Sequence, residues 1–161
     1  MVKTKTKIED IVNVVKKLRN PKEGCPWDIS QNSKSLAKYT LEEAYEVVEA
    51  IELNKKDELK DELGDLLLQV VYHSVISEEK KQFNINDVIA SSVKKMKLRH
   101  PHIFLNNKDI KTISDVNDFW EYQKKIDRKK KGEISAIDGI SKSLPAVTRA
   151  VKVHKRAAQE G

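Results

Sequence analysis

The chain has 161 residues and a net charge of +6, with charged residues making up 35% of it. That length suits one domain with a core of its own, and no apolar run approaches the length of a membrane span. The basic start lacks the apolar stretch of a signal peptide. The single cysteine, Cys25, cannot close an internal disulfide, so the expectation is a reducing, cytoplasmic setting.

Apolar residues recur at helical spacing along the chain, and no stretch alternates with period two. The first helix is predicted over 8–18, with Ile8, Ile11, Val12, Val15 and Leu18 on one stripe, ending near Asn20-Pro21. Turn residues mark 21–30 as a loop. A second helix is expected over 33–53, with room for a break near Tyr39-Thr40. Asn54 reads as the N-cap of a third helix over 55–79. Asn84 reads as the cap of a fourth over 85–99, which ends at His100-Pro101 because a residue before proline avoids the helical region. A loop over 101–113, a fifth helix over 114–128, a basic linker from Arg128 to Gly132 and a sixth helix over 143–158 complete the reading. Pro145 is expected in the first turn of that last helix. The predicted fold class is all-α, an antiparallel helical bundle.

Charge is unevenly spread along these elements. From Glu42 to Asp65 ten acids stand against three lysines, a block at −7 that leaves +13 for the rest. One reading is a solvated acidic face balanced by basic ends. The other is a site that holds metal cations and draws a polyanion.

Glu43 and Glu46 are three residues apart, as are Glu62 and Asp65, so each pair shares a helix face. A short turn at Asn54 folds the second and third helices antiparallel. Positions 46 and 62 are equidistant from that turn, so the two acidic pairs arrive at similar heights. Four carboxylates at one level repel one another unless a cation intervenes, and carboxylate oxygens are the hard ligands that Mg²⁺ takes. Gly64, costly inside a helix, leaves space for close approach beside Asp65. The competing readings are a capping box from Thr40 to Glu43 and an ordinary wet helix face at Glu62 and Asp65. No Glu-x-x-His and no P-loop motif occurs.

These residues resemble the MazG family of all-α nucleoside triphosphate pyrophosphohydrolases. The family pattern Glu-Glu-x-x-Glu, a spacer, then Glu-x-x-Asp reads here as Glu42-Glu43-Ala44-Tyr45-Glu46 and Glu62-Leu63-Gly64-Asp65. The flanking segments GCPWD at 24–28, YTLEEAYEV at 39–47, ELGDLLLQVV at 62–71, LRHPHIF at 98–104 and SLPAVTRAVKVHKRA at 143–157 agree in order and spacing, as do Trp120 and Lys124. The resemblance implies Mg²⁺ as cofactor, with Mn²⁺ able to substitute, on Glu43, Glu46, Glu62 and Asp65. It implies that Glu42 or Glu46 orients an attacking water. Lys95, Arg99 and Lys124 would meet phosphates and Trp120 would lie beside the nucleotide. Each also has a plain reading, as solvated lysines or a core tryptophan.

The resemblance further implies a homodimer or higher homo-oligomer whose subunits complete the site. The catalytic region would be 1–132, and 133–161 would be a C-terminal helix and linker resembling the start of an inter-domain connection. The expected activity is Mg²⁺-dependent hydrolysis of NTPs or dNTPs to monophosphate and pyrophosphate. No membrane and no nucleic-acid partner is expected. The alternatives are a helical module that senses nucleotides with weak or no turnover, or one that binds nucleic acid or protein through its basic residues.

Overall fold

The computed structural model describes residues 5–105, 110–130, 132, 135 and 137–158. Lys131 of the basic linker and Gly161 lie outside the described residues. Among those described there are helices and no strand, in agreement with the all-α expectation. The helices are α1 (Ile8–Leu18), α2 (Pro26–Ser30), α3 (Ser33–Glu52), α4 (Lys56–Glu79), α5 (Ile85–Arg99), α6 (Pro101–Phe104), α7 (Ile113–Lys130) and α8 (Ala146–Ala158). None is long and apolar enough to cross a membrane. The chain divides into two compact units, 1–92 and 93–161.

In the first unit, α3 packs along α4, and α1 packs on α4. The core gathers Val12 and Val15 of α1, Leu36 of α3, and Val71, Tyr72, Val75 and Ile76 of α4. It therefore occupies one end of the bundle. The same helices look different at the end near the α3–α4 turn: Leu63 and Leu67 are 50% and 42% exposed, while Val71 and Ile76 are 0% and 1%. Tyr45, Val48 and Ile51 of α3 are also exposed. The helix pair is thus anchored at its far end and bare near the turn.

The turn is a Schellman motif. Lys55 N–H donates to Ala50 O at 2.9 Å and Asn54 N–H to Ile51 O at 3.1 Å. Asn54 sits at φ 58°, a left-handed conformation that asparagine tolerates better than most residues. Asn54 therefore ends α3 instead of capping α4, whose N-cap is Lys55. Lys81, at φ 56°, closes α4 in the same way, with Gln82 N–H on Ser77 O at 3.0 Å.

Other expectations are adjusted too: Arg128, Lys129 and Lys130, expected in a linker, form the last turn of α7. α3 runs unbroken through Thr40, because Asn32 caps it eight residues earlier by accepting from Lys34 and Ser35 N–H. Thr40 sits inside the helix and bonds back to Leu36 O at 3.3 Å, so no capping box with Glu43 forms. The loops over 21–30 and 101–113 each contain a short helix opened by a proline, Pro26 and Pro101. Pro145 precedes α8 and accepts from Arg149 N–H at 2.9 Å. Asn84 does cap α5, accepting from Asn86 N–H at 2.8 Å, while Asp87 accepts from Asn84 N–H at 2.9 Å.

The GCPWD segment is held as a unit. A Cβ on Gly24 would collide with the carbonyls of Leu18 and Asn20, so glycine is required there by space. Asp28 is buried and accepts from the Tyr72 hydroxyl. Arg19 donates to the carbonyls of Asp28 and Gln31 and grips Glu79 through Nε at 2.8 Å and Nη2 at 2.7 Å. Trp27 stacks edge-on against Tyr39 with centroids 6.0 Å apart, which packs this loop onto α3.

Candidate metal centre

The antiparallel pairing of α3 and α4 brings Glu43, Glu62 and Asp65 together. Each offers one carboxylate oxygen, and the three oxygens lie within 4.8 Å of one another. Glu43 and Glu62 are half-buried and Asp65 is exposed. Burial pushes the Glu43 carboxyl above the ordinary carboxylate range, and Asp65, Glu46 and Glu62 push it the same way. Burial also raises Glu62, followed by Glu46 and Asp65. Glu46 is exposed; it stands outside the three-oxygen cluster but within its electrostatic field. Glu42 is exposed and belongs to neither set.

The donor set suits a hard divalent ion. At the usual Mg²⁺ bond length adjacent oxygens lie about 3.0 Å apart and opposite ones about 4.2 Å, so the three side chains would have to draw together to share one ion. Their shared charge is the reason an ion would be drawn in: like charges at this spacing repel, and a dication between them reverses the sign. A Cβ on Gly64 would meet nothing within 4 Å.

Two side chains of α4, His73 and Gln69, have no part in the reading from sequence. Thr40 Oγ1 and His73 Nε2 lie 2.9 Å apart across α3 and α4. Gln69, one turn after Asp65 on α4, is buried, and its side-chain oxygen has no hydrogen-bond partner among the described residues. The available signal was a single glutamine inside the apolar run Leu66 to Val71, four residues from Asp65.

Lys95, Arg99, Trp120 and Lys124 all fall in the second unit. Lys95 is exposed, with no ion pair among the described residues. Arg99 approaches Asp127 at 3.6 Å, and its buried Nε has no partner among the described residues. Trp120 is half-buried; its Nε1 donates to Arg99 O at 2.9 Å, and its ring meets His100 edge-on at 5.1 Å. Lys124 pairs with Glu121 at 2.8 Å. It lines a cleft of about 250 Å³ with Glu121, Arg128, Lys152, Lys155 and Arg156.

Residues 31–104, which hold the acid cluster, match the family model of the MazG nucleotide pyrophosphohydrolase domain. The chain is similar to the nucleoside triphosphate pyrophosphohydrolase of Escherichia coli K12, 42% identical over 154 residues that make up 96% of this chain and 58% of that protein. It is also similar to the nucleoside triphosphate pyrophosphohydrolase/pyrophosphatase MazG of Thermotoga maritima, 40% identical over 155 residues, 95% of this chain and 57% of that one. The chain thus spans a little over half the length of these relatives. Its fold is like the crystal structure of a mazG-related protein from Thermotoga maritima, with a TM-score of 0.59 at 23% identity, covering 73% of this chain and 99% of that one. The chain carries a MazG-family nucleotide pyrophosphohydrolase domain.

Proposed function

We propose that this chain hydrolyses nucleoside triphosphates, NTP or dNTP, to the monophosphate and pyrophosphate, and that it clears aberrant or excess nucleotides in the cytoplasm. The observation that carries the reading is the convergence of Glu43, Glu62 and Asp65 within 4.8 Å inside the MazG domain. Mg²⁺, or Mn²⁺ in its place, would supply the charge that draws the triphosphate to an acidic surface and polarises its phosphoryl oxygens.

The chain's own residues then take distinct parts. Glu43, Glu62 and Asp65 hold the ion, with Glu46 as the fourth carboxylate in their field. Glu46 or Glu42, both exposed, orients the attacking water. Lys95, Arg99 and Lys124 are assigned to the phosphates and Trp120 to the nucleotide on sequence motif alone. Arginine offers a planar fork to phosphate oxygens and lysine a point charge. We take 1–132 as the catalytic region and 133–161 as the start of a connection, in keeping with the greater length of the relatives.

A homodimer or larger assembly is part of the proposal. Leu41, Tyr45 and Val48 of α3 and Leu63, Leu67 and Val70 of α4 are exposed, an apolar face on the two helices that carry the acids. A second copy would bury it. Light scattering on the purified chain tests this: a monomer at micromolar concentration contradicts it.

The test of the activity is product analysis over a nucleotide panel, with Mg²⁺ and with EDTA. Monophosphate and pyrophosphate in Mg²⁺ alone are expected. Orthophosphate as the sole product, or turnover that survives EDTA, overturns the proposal. The basic cleft around Lys124 favours one second reading, an anion sensor with negligible turnover. Tight nucleotide binding without product would select it.

A further inference from the structure

We infer that Gln69 is a positioning residue of the metal centre, its side-chain carbonyl accepting a hydrogen bond from the hydration water of the ion. The inference rests on the metal reading of Glu43, Glu62 and Asp65. Gln69 follows Asp65 by four residues and Glu62 by seven on α4, so the three share one helix face. Helical side chains lean toward the N-terminus, which carries the Gln69 amide back over the turn of Asp65.

Gln69 is only 7% exposed, and its Oε1 is buried without a partner among the described residues. A buried amide oxygen left unpaired costs free energy, and native structures pair such atoms or use them. No group among the described residues donates to that oxygen. Ionised carboxylates accept only. The Thr40 hydroxyl, on the other side, is engaged by Leu36 O and His73 Nε2. The donor that remains is water, and the carboxylate cluster is where water would be held in place. Mg²⁺ keeps several of its waters when protein ligands are few. A glutamine supplies an acceptor for them without adding a charge to a site where Glu43 and Glu62 already repel.

An apolar residue of similar size removes the acceptor and also removes the unpaired atom. Gln69→Leu is therefore expected to melt at or above the wild-type temperature in EDTA, while binding Mg²⁺ about 10–100-fold more weakly by titration calorimetry. Gln69→Glu keeps the acceptor and is expected to hold Mg²⁺ at least as tightly as wild type. Both measurements use the full chain, and circular dichroism reports whether each variant is folded. The inference is overturned if Gln69→Leu binds Mg²⁺ like wild type, or if Gln69→Glu loses the ion as fully as Gln69→Leu does. A wild-type chain that gives no Mg²⁺ heat sinks the metal reading beneath it, a result separate from either variant outcome.

Discussion

Thr40 Oγ1 and His73 Nε2 meet at 2.9 Å, joining α3 to α4 one turn away from Glu43. This contact ties the two helices together away from the Asn54 turn. The same two helices carry Glu43, Glu62 and Asp65, whose carboxylate oxygens converge within 4.8 Å of one another. Burial holds the His73 imidazole below its ordinary value of 6.5.

That burial gives stability a definite pH dependence. The folded chain takes up the His73 proton less readily than the unfolded chain. The contribution is therefore complete above the ordinary histidine value and is lost as pH falls from there toward the depressed folded pKa. Between about pH 7.5 and about pH 5 the melting temperature of wild type should fall more than that of His73→Gln. Parallel curves for the two proteins would place the pH dependence elsewhere.

Glu43 titrates in the opposite sense. Its folded pKa is raised by burial and by Asp65, Glu46 and Glu62, so without metal its stability contribution is greatest at low pH. That contribution declines as pH rises through the raised value. At neutral pH in EDTA, Glu43→Gln should melt a few degrees above wild type. In millimolar Mg²⁺ the order should reverse, because the ion requires the carboxylate. Variant and wild type keeping one order in both buffers would show that no ion relieves this crowding.

The Tyr72–Asp28 bond is the buried polar tie between the GCPWD segment and α4. Burial raises the Tyr72 hydroxyl well above its ordinary value, with Asp28 adding to the shift, so it stays a donor at all working pH. Tyr72→Phe leaves the Asp28 carboxyl buried without that donor. A hydrogen bond to a charged group contributes about 1.5–3 kcal/mol, and urea unfolding should show a loss of that size. An unchanged midpoint would mean that Arg19 or water compensates.

The sequence carried the helices further than it carried their ends. α1 has its apolar stripe in register from Ile8 to Leu18, and its bounds were legible to the residue. Asn84 was legible as a cap because its side chain acts locally. Asn54 is ambiguous in sequence because asparagine serves both an N-cap and a left-handed C-terminal turn, and only backbone geometry separates the two. The acid cluster was legible from two i, i+3 pairs equidistant from a short turn. Glu46 is not among the three residues whose oxygens lie within 4.8 Å, but its side chain bonds Glu43 and its charge acts on Glu62. Gln69 and His73 gain meaning only once α3 and α4 are in register, which no local pattern encodes.

Asp65 is the member of the cluster with the least burial to confuse the result. Pyrophosphate release by Asp65→Asn should be measured beside wild type in Mg²⁺, with helicity followed in the same sample. The account predicts a fall of about 10²-fold or more in rate with the helical signal intact, the scale at which loss of one charge-stabilising group shows in catalysis. Wild-type turnover by a folded Asp65→Asn chain would contradict it.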